Sequence, residues 1–510
     1  MSAKPETAAP TGRKKIAQHK ERSDVTLGHE SHNTSSPEGA KEGGELPNGW
    51  QLATVGETGR YVNGVAFKPT DWGTEGLPII RIQNLTDPEK PLNRTTRQVE
   101  PVYRIEAGDM LVSWSATLDA FIWDRETAIL NQHIFKVIPD ETVVDKRFLF
   151  YLLKQAISEM IKSEHLHGST MKHINRGPFL AHHVPLPPMK DQRRIVAEIE
   201  KQFTRLEAGV AALRRVQANL KRYRAAVLKA ACEGRLVPTE ADLAKPKSGS
   251  GVSPLGSGKK RQDAASTFET GEALLARILT QRRQNWQGRG KYKEPAAPET
   301  ANLPPLPEGW TWTNLDAAIV SGPQNGVYLP RELYGRGHPI LRIDDYQDGW
   351  VRGVDELNKV AADQVTASKY QLLSGDLVIN RVNSLTHLGK CLVVRETHAG
   401  ALFESNMMKA HLAACVNPRY VEFCLRARDG RTRLTSGAKW AVNQASINQE
   451  DVKRTPLPLP PLAEQTRIVA EVERRLSVVE ELEAVVSANL QRATRLRQSI
   501  LQKAFTGELV

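Results

Sequence analysis

The sequence predicts an α+β protein: two β-rich mixed domains in tandem repeat, separated by two long antiparallel α-helices that form a coiled coil. Three observations carry this. Sequence blocks recur in order along the chain. Two of them are long segments with apolar residues at helical spacing. The remainder consists of short apolar runs set between Gly, Pro, Asn and Asp.

The repeat comes first because it decides the architecture. Leu46-Pro47-Asn48-Gly49-Trp50 returns as Leu306-Pro307-Glu308-Gly309-Trp310. Gly76-Leu77-Pro78-Ile79-Ile80-Arg81-Ile82 returns as Gly337-His338-Pro339-Ile340-Leu341-Arg342-Ile343, and Ala107-Gly108-Asp109-Met110-Leu111 as Ser374-Gly375-Asp376-Leu377-Val378. The longest match pairs Pro187-Pro188-Met189-Lys190-Asp191-Gln192 and its continuation to Glu200 with Pro460-Pro461-Leu462-Ala463-Glu464-Gln465 and its continuation to Glu473. Position 187 matches 460, 228 matches 501 and 234 matches 507, a constant displacement of 273. A gap-free match of that length reads as a duplicated helix. The earlier blocks drift in displacement, so loops differ in length between the copies.

These matches divide the chain. Residues 1–45 are polar and rich in Lys, Glu, Ser and Gly, a disordered extension. Residues 46–186 and 303–459 form the two β-rich domains, with helical pieces near 146–162 and 418–428. Residues 187–237 and 460–510 are the long helices. Residues 238–302 link the copies through a Gly/Ser/Pro/Lys-rich stretch at 245–258, a short amphipathic helix at 272–284 and a second linker at 288–298.

Each long helix starts at a Pro-Pro pair and ends at a glycine, Gly234 or Gly507. Its apolar residues recur every three or four positions. A seam is expected from Ile199, Phe203, Leu206, Val210, Leu213 and Leu220 on the first helix. The second contributes Val472, Leu476, Val479, Leu482, Val486 and Leu496. Charged residues cover the rest of each circumference, so the narrow stripes are best buried against each other. About 40 residues give a helix of roughly 60 Å.

Composition sets outer limits. Hydrophobic content of 40% and charged content of 25% fit a globular protein. The net charge of +12 favours a polyanionic partner. Cys232, Cys391, Cys415 and Cys424 form no C-x-x-C pair and are expected as reduced thiols, which places the protein in the cytoplasm. No stretch nears the 18 or so apolar residues of a membrane span, and the N-terminus carries no apolar signal core.

The chain carries no signature of enzyme chemistry. A base-methylating centre needs a Gly-rich cofactor loop and an N-P-P or D-P-P motif, and neither dipeptide-proline motif occurs. Gly256-Ser257-Gly258-Lys259-Lys260 lacks the upstream glycine spacing and the hydroxyl of a P-loop. His165, His167, His173, His182 and His183 cluster without Cys or carboxylates at ligand spacing, so no metal is expected. Asp344-Asp345 reads as a solvated loop rather than a nuclease pair.

The duplicated P-P-x-x-x-Q-x-R-I-V-A-E-[IV]-E segments, the two L-P-x-G-W openings, the [AS]-G-D-[ML]-[LV] turns and the G-[RE]-L-V endings resemble the specificity subunits of type I restriction–modification systems. The linker helix with Leu274-Leu275-Ala276-Arg277-Ile278 fits as well, and the likeness covers about residues 46–510. It departs at Met189-Lys190-Asp191, where the second copy keeps Leu462-Ala463-Glu464. The resemblance implies that each β-rich part is a target-recognition domain reading one half of a bipartite double-stranded DNA site. It implies that the helices set the gap, and that the chain is a non-catalytic subunit acting at the nucleoid. It further implies two methyltransferase subunits, which would carry S-adenosylmethionine and methylate adenine, and restriction/translocase subunits. An enzyme with degenerate motifs, a bare coiled-coil scaffold, and a DNA-binding protein outside restriction–modification are the alternatives.

Base edges are read by Arg, Lys, Asn, Gln, Ser and Thr, placed by phosphate contacts. In the first domain the candidates are Tyr61, Asn63, Lys68, Arg81, Gln83, Asn84, Ser113, Trp114, Ser115, Asn131, Gln132, Ser169, Thr170, Lys172 and His173. In the second they are Asn325, Tyr328, Arg342, Asp344, Asn380, Arg381, Asn383, Ser405, Asn406, Lys409, Ser436, Lys439, Trp440 and Asn443. Each could instead serve a turn or cap, Asn and Ser above all.

Overall fold

A computed structural model describes residues 46–162, 173–245, 268–287, 290–347, 349–384, 386–441 and 444–510. The extension expected at 1–45 lies outside them, as does the linker at 245–258 except for Lys245. The protein mixes helices with several small sheets.

The two halves share a four-stranded sheet. Gly59–Asn63, Ile134–Pro139, Met110–Ser113 and Asp119–Ile122 lie side by side in that order, every pairing antiparallel. Ile319–Asn325, Met407–Leu412, Leu377–Asn380 and Cys391–Val393 repeat the arrangement. Beside each runs a smaller sheet with one parallel pairing, Leu77–Ile80 with Ala128–Leu130 and Tyr334–Leu341 with Leu402–Phe403. Ile79, Ile80, Ile340 and Leu341 are all buried, the environment parallel pairs require. The helical pieces form at Lys146–Lys162 and Pro418–Arg426, and the linker helix at Gly271–Gln284 buries Leu274 and Ile278.

The recurring Gly-Asp turn has a mechanical reason. Gly108 and Gly375 take φ of +94° and +85°, which favours glycine. The next residue folds back to accept a backbone N–H, Glu106 to Asp109 at 2.8 Å and Leu373 to Asp376 at 2.9 Å. Lys136 and Lys409, from the neighbouring strands, then approach these carboxylates at 2.7 and 3.8 Å.

The recurring Gln of the Pro-Pro motif fixes each long helix to its own domain. Gln192 and Gln465 are fully buried. Gln192 Nε2 donates to the Pro187 carbonyl at 2.9 Å, and its Oε1 accepts from Asp145 N–H at 2.7 Å. Gln465 repeats both bonds, to the Pro460 carbonyl at 2.9 Å and from Asn417 N–H at 2.8 Å. Gln465→Ala strands two buried backbone groups, so a loss of about 2–4 kcal/mol is expected. Chemical denaturation checks this; a loss below about 1 kcal/mol would mean that the amide is not what holds the junction.

Where the first copy has Asp191, the second has Glu464, and the longer side chain matters. Glu464 is buried and accepts from Trp310 Nε1 at 2.9 Å and from Glu240 N–H at 3.1 Å. Burial pushes its carboxyl above the usual range, against the bonds from Glu240 and Trp310 that lower it. Asp191 is more exposed and approaches Arg194 at 3.6 Å.

Met189–Cys232 and Leu462–Phe505 are single helices of 44 residues each. Leu213, Leu220, Val479, Val486 and Leu490 pack into one cluster between them. Arg224 meets Glu483 at 2.9 Å and Glu480 at 3.7 Å, while Arg497 pairs with Glu207. Later residues of one helix meet earlier residues of the other, so the helices run in opposite directions. The same displacement of 273 carries Arg224 to Arg497 and Glu207 to Glu480. The two ion pairs are therefore copies of each other.

Two expected seam residues are not in the seam. Leu482 and Leu496 are 45% and 48% exposed. Buried or half-buried positions instead step by four and three through 472, 476, 479, 483, 486, 490 and 493 on the second helix. The first helix steps likewise through 199, 203, 206, 210, 213, 217, 220, 224 and 227. This repeat averages 3.5 residues rather than 3.6. It admits the polar Gln217, Arg224 and Glu483 and turns Leu482 one step outward.

Both helix ends reach the other copy. A Cβ on Gly234 would lie 2.4 Å from Pro307 Cγ, and one on Gly507 the same distance from Pro47 Cγ. Each G-[RE]-L-V ending thus abuts the L-P-x-G-W opening of the opposite half. Both glycines also take positive φ, +65° and +78°. Among the described residues no helix is long and apolar enough to cross a membrane.

Candidate nucleic-acid interface

The shared sheet ends in one polar rim per half. Strand register matches Asn63 with Asn325, Trp114 with Arg381 and His133 with Asn406. The scaffold is common to both halves, yet the side chains at two of these three places differ.

In the first half, Trp114 Nε1 donates to Asn63 Oδ1 at 3.2 Å, and the indole meets His133 edge-on at 5.1 Å. Gln132 Nε2 lies 3.2 Å from His133 Nε2. Ser115 bridges to His173 in the backbone ladder, and the Arg176 guanidinium reaches the Tyr61 carbonyl at 3.4 Å. Asn131 caps its own turn, accepting from Gln132 N–H at 2.7 Å. Arg81 sits over the Trp72 ring at 5.1 Å, beside exposed Gln83; Lys68 is exposed on the preceding loop.

In the second half, Arg381 is anchored by its backbone. Its N–H donates to Asn406 O at 2.8 Å and its carbonyl accepts from Ile447 N–H at 2.9 Å. One guanidinium nitrogen donates to Ser405 O at 3.1 Å, and Nε has no partner among the described residues. Val382–Asn383 then pairs with Gln444–Ser446, which pairs with Lys439–Ala441. This ribbon places exposed Lys439 and Trp440, the latter 69% exposed, one strand beyond Val382 and Asn383. Ser436, exposed, precedes it. A separate hollow of about 530 Å³ gathers exposed Tyr328 with Arg331, Arg342, Ser405 and Asn406. Asp344 is exposed on the next loop. Burial works against the charge of Arg342, but Glu404, 3.3 Å from its Nε, outweighs it and holds the guanidinium ionised.

Six expected contact residues face inward instead. Tyr61 is buried between Phe135 and Phe179, its hydroxyl 3.0 Å from Thr58 Oγ1; burial pushes its phenol well up, so it stays neutral. Asn84 is buried and donates to the Lys90 and Pro91 carbonyls, which shapes its loop. Ser113 and Ser115 are buried, Ser113 bonding the Thr117 carbonyl. Asn380 is fully buried and donates to His387 O at 3.0 Å. Lys409 spends its ammonium on Gln371 O at 2.5 Å and on Asp376. Strand alternation explains most of these: Ser113 and Asn380 point into the core, and their neighbours Trp114 and Arg381 lie on the rim. Ser169, Thr170, Lys172 and Asn443 lie outside the described residues, as do His165 and His167.

His133 and Arg176 are the rim residues that sequence reasoning missed. A signal for His133 existed. The displacement of 273 carries Asn131-Gln132-His133 onto Glu404-Ser405-Asn406, which marks position 133 as the partner of a chosen residue. Among the described residues the rim offers amide, indole, imidazole and guanidinium groups, and no nucleophile beside a base. Such a set makes hydrogen bonds to base edges and phosphates.

Comparison with known proteins agrees with this geometry. Residues 47–212 match the family model of the type I restriction modification DNA specificity domain. The chain is 25% identical over 476 residues to the type I restriction enzyme EcoBI specificity subunit of Escherichia coli, covering 91% of this chain and 87% of that one. It is 23% identical to the EcoKI specificity subunit of Escherichia coli strain K12, covering 91% and 90%. Over nine-tenths of its length the chain is thus similar to specificity subunits of type I restriction enzymes. A solved chain from a type I restriction–modification system shares the fold at a TM-score of 0.57, 18% identity, covering 91% of this chain and all of that one. The family's specificity model stops at residue 212, yet the relatives align across nine-tenths of the chain, so both copies of the repeat fall within the likeness.

Proposed function

We propose that this chain is the non-catalytic DNA sequence-specificity subunit of a type I restriction–modification complex. Residues 46–186 and 303–459 are its two target-recognition domains, each reading one half of a bipartite site. The helices at 187–237 and 460–510 form an antiparallel coiled coil that sets the gap, and 238–302 joins the copies. The observation that carries this is the pair of equivalent rims with unlike readers: Asn63, Trp114 and His133 against Asn325, Arg381 and Asn406. One scaffold used twice with different side chains at matched places suits two different half-sites.

The helix pair also has an outward apolar stripe, Val478, Leu482 and Val485 with Leu496 beyond. Exposed Val216 and Tyr223 lie on the first helix. Leu482 and Leu496, displaced from the seam, serve here. We assign this stripe to the methyltransferase subunits, which bring S-adenosylmethionine; restriction/translocase subunits join that complex in the cytoplasm. Leu482→Lys with Val485→Lys should reduce methyltransferase co-purification more than tenfold while leaving the unfolding midpoint of the chain unchanged. Undiminished co-purification would remove the stripe from the interface.

The direct test is to express the chain with methyltransferase subunits and map methylated adenines by single-molecule sequencing. Two short specific halves around a fixed unspecified gap, present only with this chain, is the expected result. Methylation independent of the chain would defeat the proposal.

A further inference from the structure

Between the long helices and the second domain lies a cleft of about 1230 Å³. Its walls are residues 217–228 of the first helix, 480–487 of the second, the loop around Gly349 and Trp350, and the helix Arg428–Leu434. It sits between the second domain and the helix pair.

The charge in it is one-sided. Lys221, Arg395, Arg428 and Arg431 line the cleft, and none has a carboxylate within 4.0 Å among the described residues. Arg426 is set into the wall at 3.1 Å from Glu422, a carboxylate that is itself fully buried. The two acids of the lining, Glu480 and Glu483, are taken by Arg224. Four uncompensated cations in one concavity favour an anion.

The first half has no such feature at its matching positions. The helix displacement carries Lys221 to Thr494. Strand register matches Arg395 with Asp124. Counted from the N–H groups that bond Gln192 and Gln465, Arg428 and Arg431 match Ala156 and Glu159. The cations are therefore no requirement of the shared scaffold.

The cleft is also continuous with the second rim. Arg431 donates to the Leu388 carbonyl at 2.9 Å and to the Thr386 carbonyl at 2.7 Å. Asn380, beside Arg381, holds the intervening His387 carbonyl. One short segment, residues 386–388, therefore joins the cleft wall to the rim.

We infer that this cleft binds the sugar-phosphate backbone of the unspecified gap DNA, next to the second half-site and independently of sequence. The inference rests on the DNA-reading role proposed above.

The test uses the assembled chain–methyltransferase complex carrying Lys221→Ala and Arg428→Ala, two side chains that bond nothing among the described residues. The double variant should keep its methylation motif. Its binding constant should fall several-fold on cognate and non-cognate duplexes alike. The slope of log binding constant against log salt should become shallower by about 2, near 0.9 for each phosphate no longer neutralised. Replacing gap phosphates beside the second half-site with neutral methylphosphonates should weaken the unmodified complex and leave the double variant unaffected. An unchanged slope and no methylphosphonate effect, in a complex that still reads a split motif, would overturn the cleft assignment alone. An unchanged slope with loss of methyltransferase co-purification would overturn it in favour of an acidic protein surface. No split motif from the unmodified complex would instead defeat the DNA-reading role itself.

Discussion

Arg381→Ala should relax one half of the target and leave the other half and the gap intact. The guanidinium projects from the end of a buried strand, and its backbone N–H and carbonyl are both bonded into neighbouring segments. The side chain can therefore be removed with its frame preserved. A good bidentate contact to a base discriminates by about 1–3 kcal/mol, so the affected position should lose roughly ten- to a hundredfold of its preference. Trp114→Ala should do the reciprocal thing to the other half. Methylome mapping of each variant reads the outcome. Equal weakening of both halves by Arg381→Ala would mean that the residue supports the fold or the assembly rather than a base contact.

The second large effect concerns length. Inserting one seven-residue repeat at the middle of each long helix keeps every seam residue in phase. It lengthens the pair by up to about 10 Å, since each residue rises 1.5 Å. The target gap should grow by about two to three base pairs, with both halves unchanged. Those added pairs also turn the second half-site around the duplex axis, so weaker binding is expected beside the new gap. The same insertion in one helix alone should slide Arg224 away from Glu483 and lower the unfolding midpoint instead. A methylated motif whose gap is unchanged after the double insertion would take the spacing role from the helices.

Much of the fold was legible because the repeat exposed it. Comparing Pro187–Glu200 with Pro460–Glu473 located both helices, and the Gly-Asp turns located the central strands. The seam was legible only in part. Apolar side chains alone suggested a stripe through Leu482, whereas the seven-residue phase runs through Arg224 and Glu483, whose ion pair a search for apolar residues cannot see. The rim was harder still. Ser113 and Trp114 are adjacent and both chemically able to meet DNA, and only the direction of the strand's side chains separates them. Tyr61 looked like a loop aromatic, yet Phe135 and Phe179, distant in sequence, enclose it. Such choices depend on neighbours that the chain brings together only on folding.

The junctions of Gly234 with Pro307 and of Gly507 with Pro47 have a consequence for how new variants of this protein can arise. At these junctions the glycine and the proline are common to both copies. A stretch of foreign coding sequence exchanged between two such boundaries would therefore meet the same contacts at either end. An exchange between two such boundaries would then deliver an unlike half-site with its junction contacts kept, so change in specificity would proceed by whole-module jumps rather than by gradual drift.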